Sequence, residues 1–178
     1  EAMKRVKWGV DNEPNACATA LHHLPDIRVW EVGFEKHATH EWFGSSPDGV
    51  VHWPGRGYGA MEIKCSTKNN AKGQNVPHAG VPFYYVPQLH AEMRCLPIEP
   101  CNWTLFVSWS LTKTKMYLVH FDDSYFTILF DAMTDFMAGD VPYDVWKVKQ
   151  ALLADASREV ARNAVLLGTF ESCVINNV

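Results

Sequence analysis

Three residues in the middle of the chain combine types and spacing that metal chemistry can use. Glu62 and Lys64 stand two apart in GAMEIKC (Gly59 to Cys65), and Asp48 lies fourteen residues before Glu62, directly after Pro47. If the heptapeptide is a strand, positions i and i+2 share a face, so Glu62 and Lys64 emerge together with Ile63 turned to the other side. A hard divalent cation such as Mg²⁺ takes oxygen ligands and keeps several waters. Asp48, Glu62 and the Ile63 carbonyl would give it a half-shell, with Lys64 placed to orient or deprotonate a water. Close to a dication and partly desolvated, the lysine pKa is expected to fall. The plainer readings are a solvated charge pair on an edge strand for Glu62 and Lys64, and an Asx-type turn residue for Asp48, since Pro-Asp-Gly is ordinary turn chemistry.

The elements that must position these residues are readable from pattern. Asn12 to Leu24 (NEPNACATALHHL) predicts a helix with Asn12 as N-cap, Pro14 in the first turn and Ala16, Ala20 and Leu24 on one face. IRVWEVGF and FGSSPDGVVHW read as successive strands. Pro54 to Gly59 is turn chemistry, so VVHW and AMEIKC should pair as an antiparallel hairpin that brings Gly49 and its neighbours opposite Lys64. A Gly/Pro/Asn-rich loop then leads to a helix near Pro87 with Leu89, Met93 and Leu96 facing the core. WTLFVSWS and KMYLVHF are strand candidates, and Asp123 to Ala138 and Asp144 to Leu167 read as helices. Helix, strands, helix, strands and helices predict an α/β layered domain around a mixed sheet.

Composition sets outer limits. The 178 residues are 47% hydrophobic and 20% charged, which supplies one core and argues for a single domain over residues 1–178. No long uncharged apolar run is present and the first segment has no signal-peptide core, so a soluble, intracellular protein with no membrane partner is expected. The chain opens on Glu1 rather than Met, which suggests that an N-terminal segment is missing. Five cysteines without a CxxC pair argue against a disulfide framework and a zinc ribbon, and against a four-thiolate iron–sulfur cluster. His37 and His40 lack a second ligand pair of the usual zinc spacing and read as loop histidines. Trp103, Phe106 and Trp109 read as core residues rather than base-stacking platforms. A net charge of −4 counts against a nucleic-acid partner on its face. A local basic wall of Lys4, Arg5, Lys7, Lys64, Lys68 and Lys72, together with a bound dication, would answer that objection.

Pro47-Asp48 followed by Glu62-Ile63-Lys64 is the PD-(D/E)xK nuclease signature. With WGVDNEPNA (Trp8 to Ala16), SSPDGVV (Ser45 to Val51), AMEIKCS (Ala60 to Ser66) and YYVPQLHAEM (Tyr84 to Met93), in that order, the chain resembles the lambda-type exonuclease family, also called YqaJ-type viral recombinases. The resemblance covers roughly the first half of the chain. It implies a restriction-endonuclease-like core with a mixed central β-sheet flanked by α-helices, and Mg²⁺-dependent hydrolysis of DNA, with Mn²⁺ as a substitute and one or two ions bound. Asp48 and Glu62 correspond to metal ligands, Lys64 to the water-activating lysine, Glu13 to an upstream acid and Gln88 to a glutamine supporting the lysine or a phosphate. His90 stands where the family carries a second glutamine. Read without the resemblance, Glu13 is a first-turn helix acid and Gln88 a surface residue.

The activity implied is 5′→3′ resection of double-stranded DNA ends for recombination or repair. The partners implied are DNA ends, a single-strand annealing protein and further copies of the chain in a trimer, inside an infected cell or a host organelle or nucleus. The alternatives are a structure-specific or restriction-like endonuclease on the same core, and a catalytically silent DNA-binding relative.

Overall fold

The computed structural model describes residues 2–67, 75–139 and 141–175, and Lys68 and Lys72 of the expected basic wall lie outside them. The elements follow in the order α1 (Ala2–His23), β1 (Arg28–Trp30), β2 (Glu35–Lys36), β3 (Gly44–Ser45), β4 (Gly49–Trp53), β5 (Gly57–Cys65), a 3₁₀ turn (Phe83–Tyr85), α2 (Val86–Cys95), β6 (Trp103–Trp109), β7 (Lys113–His120), α3 (Asp123–Ala138), α4 (Tyr143–Asn163) and β8 (Val165–Glu171). Six strands form one sheet in the order β1-β4-β5-β6-β7-β8, and β2 pairs with β3 apart from it. Every neighbour pair in the large sheet is antiparallel except β5 with β6. A parallel pair needs a crossover, and α2 supplies it. The expected mixed sheet flanked by helices is what the chain forms.

Alternation along β5 and β6 divides the core in two. Met61 and Ile63, with Leu105, Val107 and Trp109, pack under Ala16 and Ala20 of α1. Phe106 and Tyr117 on the opposite face pack with Val86 and Leu89 of α2, Leu129 of α3 and Val160 of α4. The sheet is therefore a middle layer, and Glu62 and Lys64 share the face that carries α2. Trp103, Phe106 and Trp109 are all core residues, as their strand setting suggested.

The β4–β5 hairpin turns where expected. The Arg56 amide donates to the Trp53 carbonyl at 2.9 Å, and Gly55 and Gly57 take φ of 82° and 74°, a left-handed conformation that side chains resist. Its register differs from the expectation: Met61, not Lys64, stands opposite Gly49, because the strands already separate at a three-residue turn. Lys64 and Cys65 then extend beyond the paired part of β4 and meet only β6.

Two helix boundaries also differ. α1 begins at Ala2 rather than Asn12, and Asn12 caps nothing; its side-chain amide donates to the Trp8 carbonyl at 2.9 Å inside the helix. Pro14 sits in the interior, where it removes a backbone bond to Val10, and burial of Ala16 and Ala20 against the sheet carries the helix past it. The C-terminal helix stops at Asn163, and Val165 to Glu171, partly expected as helix, forms β8 along β7. The edge of β7 is thereby covered, with a bulge at Met116/Tyr117.

Gly59 lies against the Trp103 ring so closely that a Cβ would come within 2.3 Å of it. Gly59→Ala is expected to destabilise the fold by about 1–3 kcal/mol through overpacking, read as a lower urea midpoint; an unchanged midpoint would contradict this packing.

Candidate active site

Asp48 sits just before β4 and is tied to β5 through both of its ends. Its amide donates to the Met61 carbonyl at 3.1 Å, and its Oδ2 accepts from the Ile63 amide at 2.6 Å. The hairpin therefore folds Asp48 onto the strand that carries Glu62 and Lys64. Lys64 makes an ion pair with Oε1 of Glu62, the lysine a quarter exposed and the glutamate almost wholly buried. The Lys64 ammonium also lies over the Tyr85 ring, 4.9 Å from its centroid.

Glu13 approaches from α1. It lines a cavity of about 510 Å³ with Arg5, Ile63, Lys64, His78 and Tyr85, and a second of about 460 Å³ with Asp48, Met61 and Ile63. Asp48, Glu62, Lys64 and Glu13, singled out as candidates from the sequence, thus converge at one end of the sheet. Ile63 lines both cavities, with its amide already engaged by Asp48. Arg5 joins Lys64 on the larger cavity, whereas Lys7 pairs with Asp11 on the helix surface at 2.9 Å.

Gln88 comes from α2 and bridges two carboxyl groups. Its Nε2 donates to Glu62 Oε1 at 2.7 Å and to Glu92 Oε1 at 2.8 Å. Its contact is with the glutamate rather than with the lysine. Glu92, one helical turn after Gln88, did not stand out in the sequence; a second acid at i+4 on the helix facing an ExK strand is the signal that points to it. It is completely buried and hydrogen-bonds to Glu62.

His90, at the place of the family's second glutamine, is structural. Its Nδ1 donates to the Val86 carbonyl at 3.0 Å, and its Nε2 accepts from the amide of Asp122, the N-cap of α3, at 3.1 Å. Burial holds its pKa down at about 4, so it is neutral. His37 and His40 lie apart from this site, with Nδ1 atoms 3.3 Å from each other and their rings packed near Phe130. All five cysteines are free.

The charges at the site are out of balance. Burial, and then the charge of Asp48, push Glu13 upward against the pull of Lys64. Burial raises Asp48 too, opposed by the Ile63 amide and Lys64. Burial lifts Glu62 to about 7, with Lys64 opposing and Asp48 adding to the rise. Glu92 is pushed up to about 10 by burial and then by the charge of Glu62, so it is a neutral acid that donates to its partner. For Lys64 burial lowers the pKa, but Glu62 and Asp48 outweigh burial and hold it above its usual value in the metal-free protein, whereas the expected fall concerns the site with a dication bound.

This donor set fits a hard cation. Three carboxyl groups, Glu13, Asp48 and Glu62, carry raised proton affinities that a cation would relieve. Among the described residues no group of three or more His, Cys, Asp or Glu side chains is placed to hold a metal ion. Mg²⁺ asks for less, taking one or two carboxylates and filling its shell with waters and phosphate oxygens.

The fold has counterparts among solved structures. The structure is similar to a crystal structure of an alkaline exonuclease (LHK-Exo) from Laribacter hongkongensis, with a TM-score of 0.57 and 24% identity over 89% of this chain and 75% of that one. It is equally similar to LHK-Exo in complex with dAMP, with a TM-score of 0.58 and 23% identity over 90% of this chain and 75% of that one. No curated protein matches the chain. The family model for the YqaJ-like viral recombinase domain matches residues 1–98, more than half of the sequence, and the chain belongs to that family. Among the described residues no helix is long and apolar enough to cross a membrane.

The buried acids make stability pH-dependent with a definite sign. Glu92 has a folded pKa near 10 against 4.5 for the free side chain, so the folded state binds more protons than the unfolded one between those values. Its favourable contribution is full below about 4.5 and is lost as pH rises toward 10, and Glu62 acts in the same direction up to about 7. The melting temperature is expected to fall between pH 5 and 9, and Glu92→Gln to flatten that fall; an equally steep fall in the variant would contradict the assignment.

Proposed function

We propose that this chain is a metal-dependent deoxyribonuclease, an exonuclease that resects double-stranded DNA ends in the 5′→3′ direction. The convergence of Asp48 and Glu62 with Lys64 on the β4–β5 hairpin carries the reading. Family membership supports it, as does the likeness of the fold to an alkaline exonuclease and to that enzyme with dAMP, a deoxynucleoside monophosphate of the kind an exonuclease releases.

Asp48 and Glu62 would hold one or two Mg²⁺ ions, or Mn²⁺ in their place, with Glu13 and the Ile63 carbonyl. When bound, such a cation neutralises phosphate charge and lowers the pKa of a coordinated water. The protein's own part is positioning. Asp48 is fixed by the Ile63 amide, and Glu62 by Lys64 and Gln88. Lys64, held charged by Glu62 and Asp48, draws a phosphate toward the cavity and orients a water beside it. Its use as a base requires that the charge of Glu62 be taken up elsewhere.

The same reading carries an intracellular setting, a single-strand annealing partner and assembly into a trimer. Lys64→Ala is expected to lower cleavage of end-labelled linear duplex in Mg²⁺ by about 10²–10⁴-fold, with the fold and DNA binding retained; full activity would overturn the assignment. Linear duplex should be degraded and a closed circle spared. Cutting of the circle would favour the endonuclease reading, and DNA binding without cleavage of either would favour a silent relative.

A further inference from the structure

His78 lies in the loop before α2, and three hydrogen bonds to two sheet residues pin it. Its amide donates to Ser108 Oγ at 2.8 Å, its Nδ1 lies 2.8 Å from the same oxygen, and its carbonyl accepts from the Tyr117 hydroxyl at 2.9 Å. Ser108 is fully buried, and on β6 it is the register partner of Lys64. The ring is therefore anchored to the strand beside the lysine, and it lines the 510 Å³ cavity together with Lys64, Glu13, Arg5 and Tyr85.

These bonds also settle which ring nitrogen carries the proton. Ser108 Oγ receives the His78 amide proton and has one proton of its own to place. Among the described residues the only acceptor it reaches is Nδ1 of His78. Satisfying every group in this buried pocket makes Ser108 the donor to Nδ1, which leaves the proton of the neutral imidazole on Nε2. Nε2 has no hydrogen-bond partner among the described residues. Burial and then the charge of Lys64 lower the pKa of His78, so the ring remains neutral.

We infer that His78 contacts the substrate: its Nε2–H, fixed by Ser108, donates a hydrogen bond to a non-bridging oxygen of a backbone phosphate in the cavity beside Lys64. The inference rests on the reading of this site as a DNA phosphodiesterase. A neutral N–H donor suits such a place. Lys64 and Arg5 already supply positive charge there, and a third cation packed against Lys64 would be repelled, whereas a neutral donor adds direction and reach without that penalty.

The test compares the wild type with His78→Ala, His78→Gln and Ser108→Ala. Binding to a fluorescent linear duplex is followed by anisotropy with Ca²⁺ in place of Mg²⁺, and KM and kcat on the same duplex are measured in Mg²⁺. His78→Ala is expected to weaken binding and raise KM about tenfold in a protein still folded at the assay temperature, with a lower melting temperature because buried Ser108 loses its acceptor. His78→Gln, which keeps an N–H donor near the same place, should recover most of the loss, and Ser108→Ala should fall between. Binding and KM unchanged in His78→Ala would overturn the inference, and so would a His78→Gln variant as weak as His78→Ala when both are folded at the assay temperature. Wild-type protein that binds DNA but does not cleave it would sink the nuclease reading alone, with the binding comparison still deciding the role of His78. Wild-type protein that does not bind DNA would overturn both.

Discussion

A glutamate that is 1% exposed in the central strand of a sheet is the constraint to which the surrounding structure answers. Taking a carboxylate out of water costs several kcal/mol unless its oxygens find partners. Around Glu62 those partners come from separate elements: Lys64 from its own strand, and Gln88 and Glu92 from the crossover helix. A fold maintained for stability alone would place a hydrocarbon side chain there. An acid held there against that cost, beside Asp48 and Lys64, is better explained by a cation than by packing.

The parallel pairing of β5 with β6 makes this arrangement possible. It forces the chain through α2, and α2 lies on the face to which Glu62 and Lys64 point. One helical turn then carries both Gln88 and Glu92 to the same carboxylate. His90, between them in the sequence, instead holds the start of α3 through the Asp122 amide. The departure at that position from the family's second glutamine therefore leaves the Glu62 network intact. On the other face, α1 brings Glu13 to the rim, where its carboxyl meets the field of Asp48 and Lys64.

Much of this was legible before any coordinates, because it depends on local rules. A period of two along GAMEIKC fixes which side chains share a face, and a Gly/Pro turn fixes that Asp48 must fold back. The ordered motif blocks added Glu13 and Gln88. What the sequence hid was decided by tertiary packing. Pro14 and Asn12 look like the beginning of a helix, yet burial of Ala16 and Ala20 sustains a helix that starts ten residues earlier. Val165 to Leu167 reads as the end of a helix, but the open edge of β7 captures it as the start of a strand. The register at Gly49 depends on a turn of three residues, 54–56, where the glycines suggested six, 54–59. Glu92, inside a motif block but with no role of its own there, and His78, outside every block, gain their meaning from contacts with Gln88, Glu62 and Ser108.

The central claim is that Asp48 and Glu62 form a site for a divalent cation. Calorimetric titration of the DNA-free protein with Mn²⁺, in the wild type and in Asp48→Asn, addresses it without reference to cleavage. Saturable binding of one or two ions by the wild type, weakened at least tenfold or abolished in Asp48→Asn at an unchanged melting temperature, is the predicted result. Equal binding by the two proteins, or none by the wild type, would contradict it.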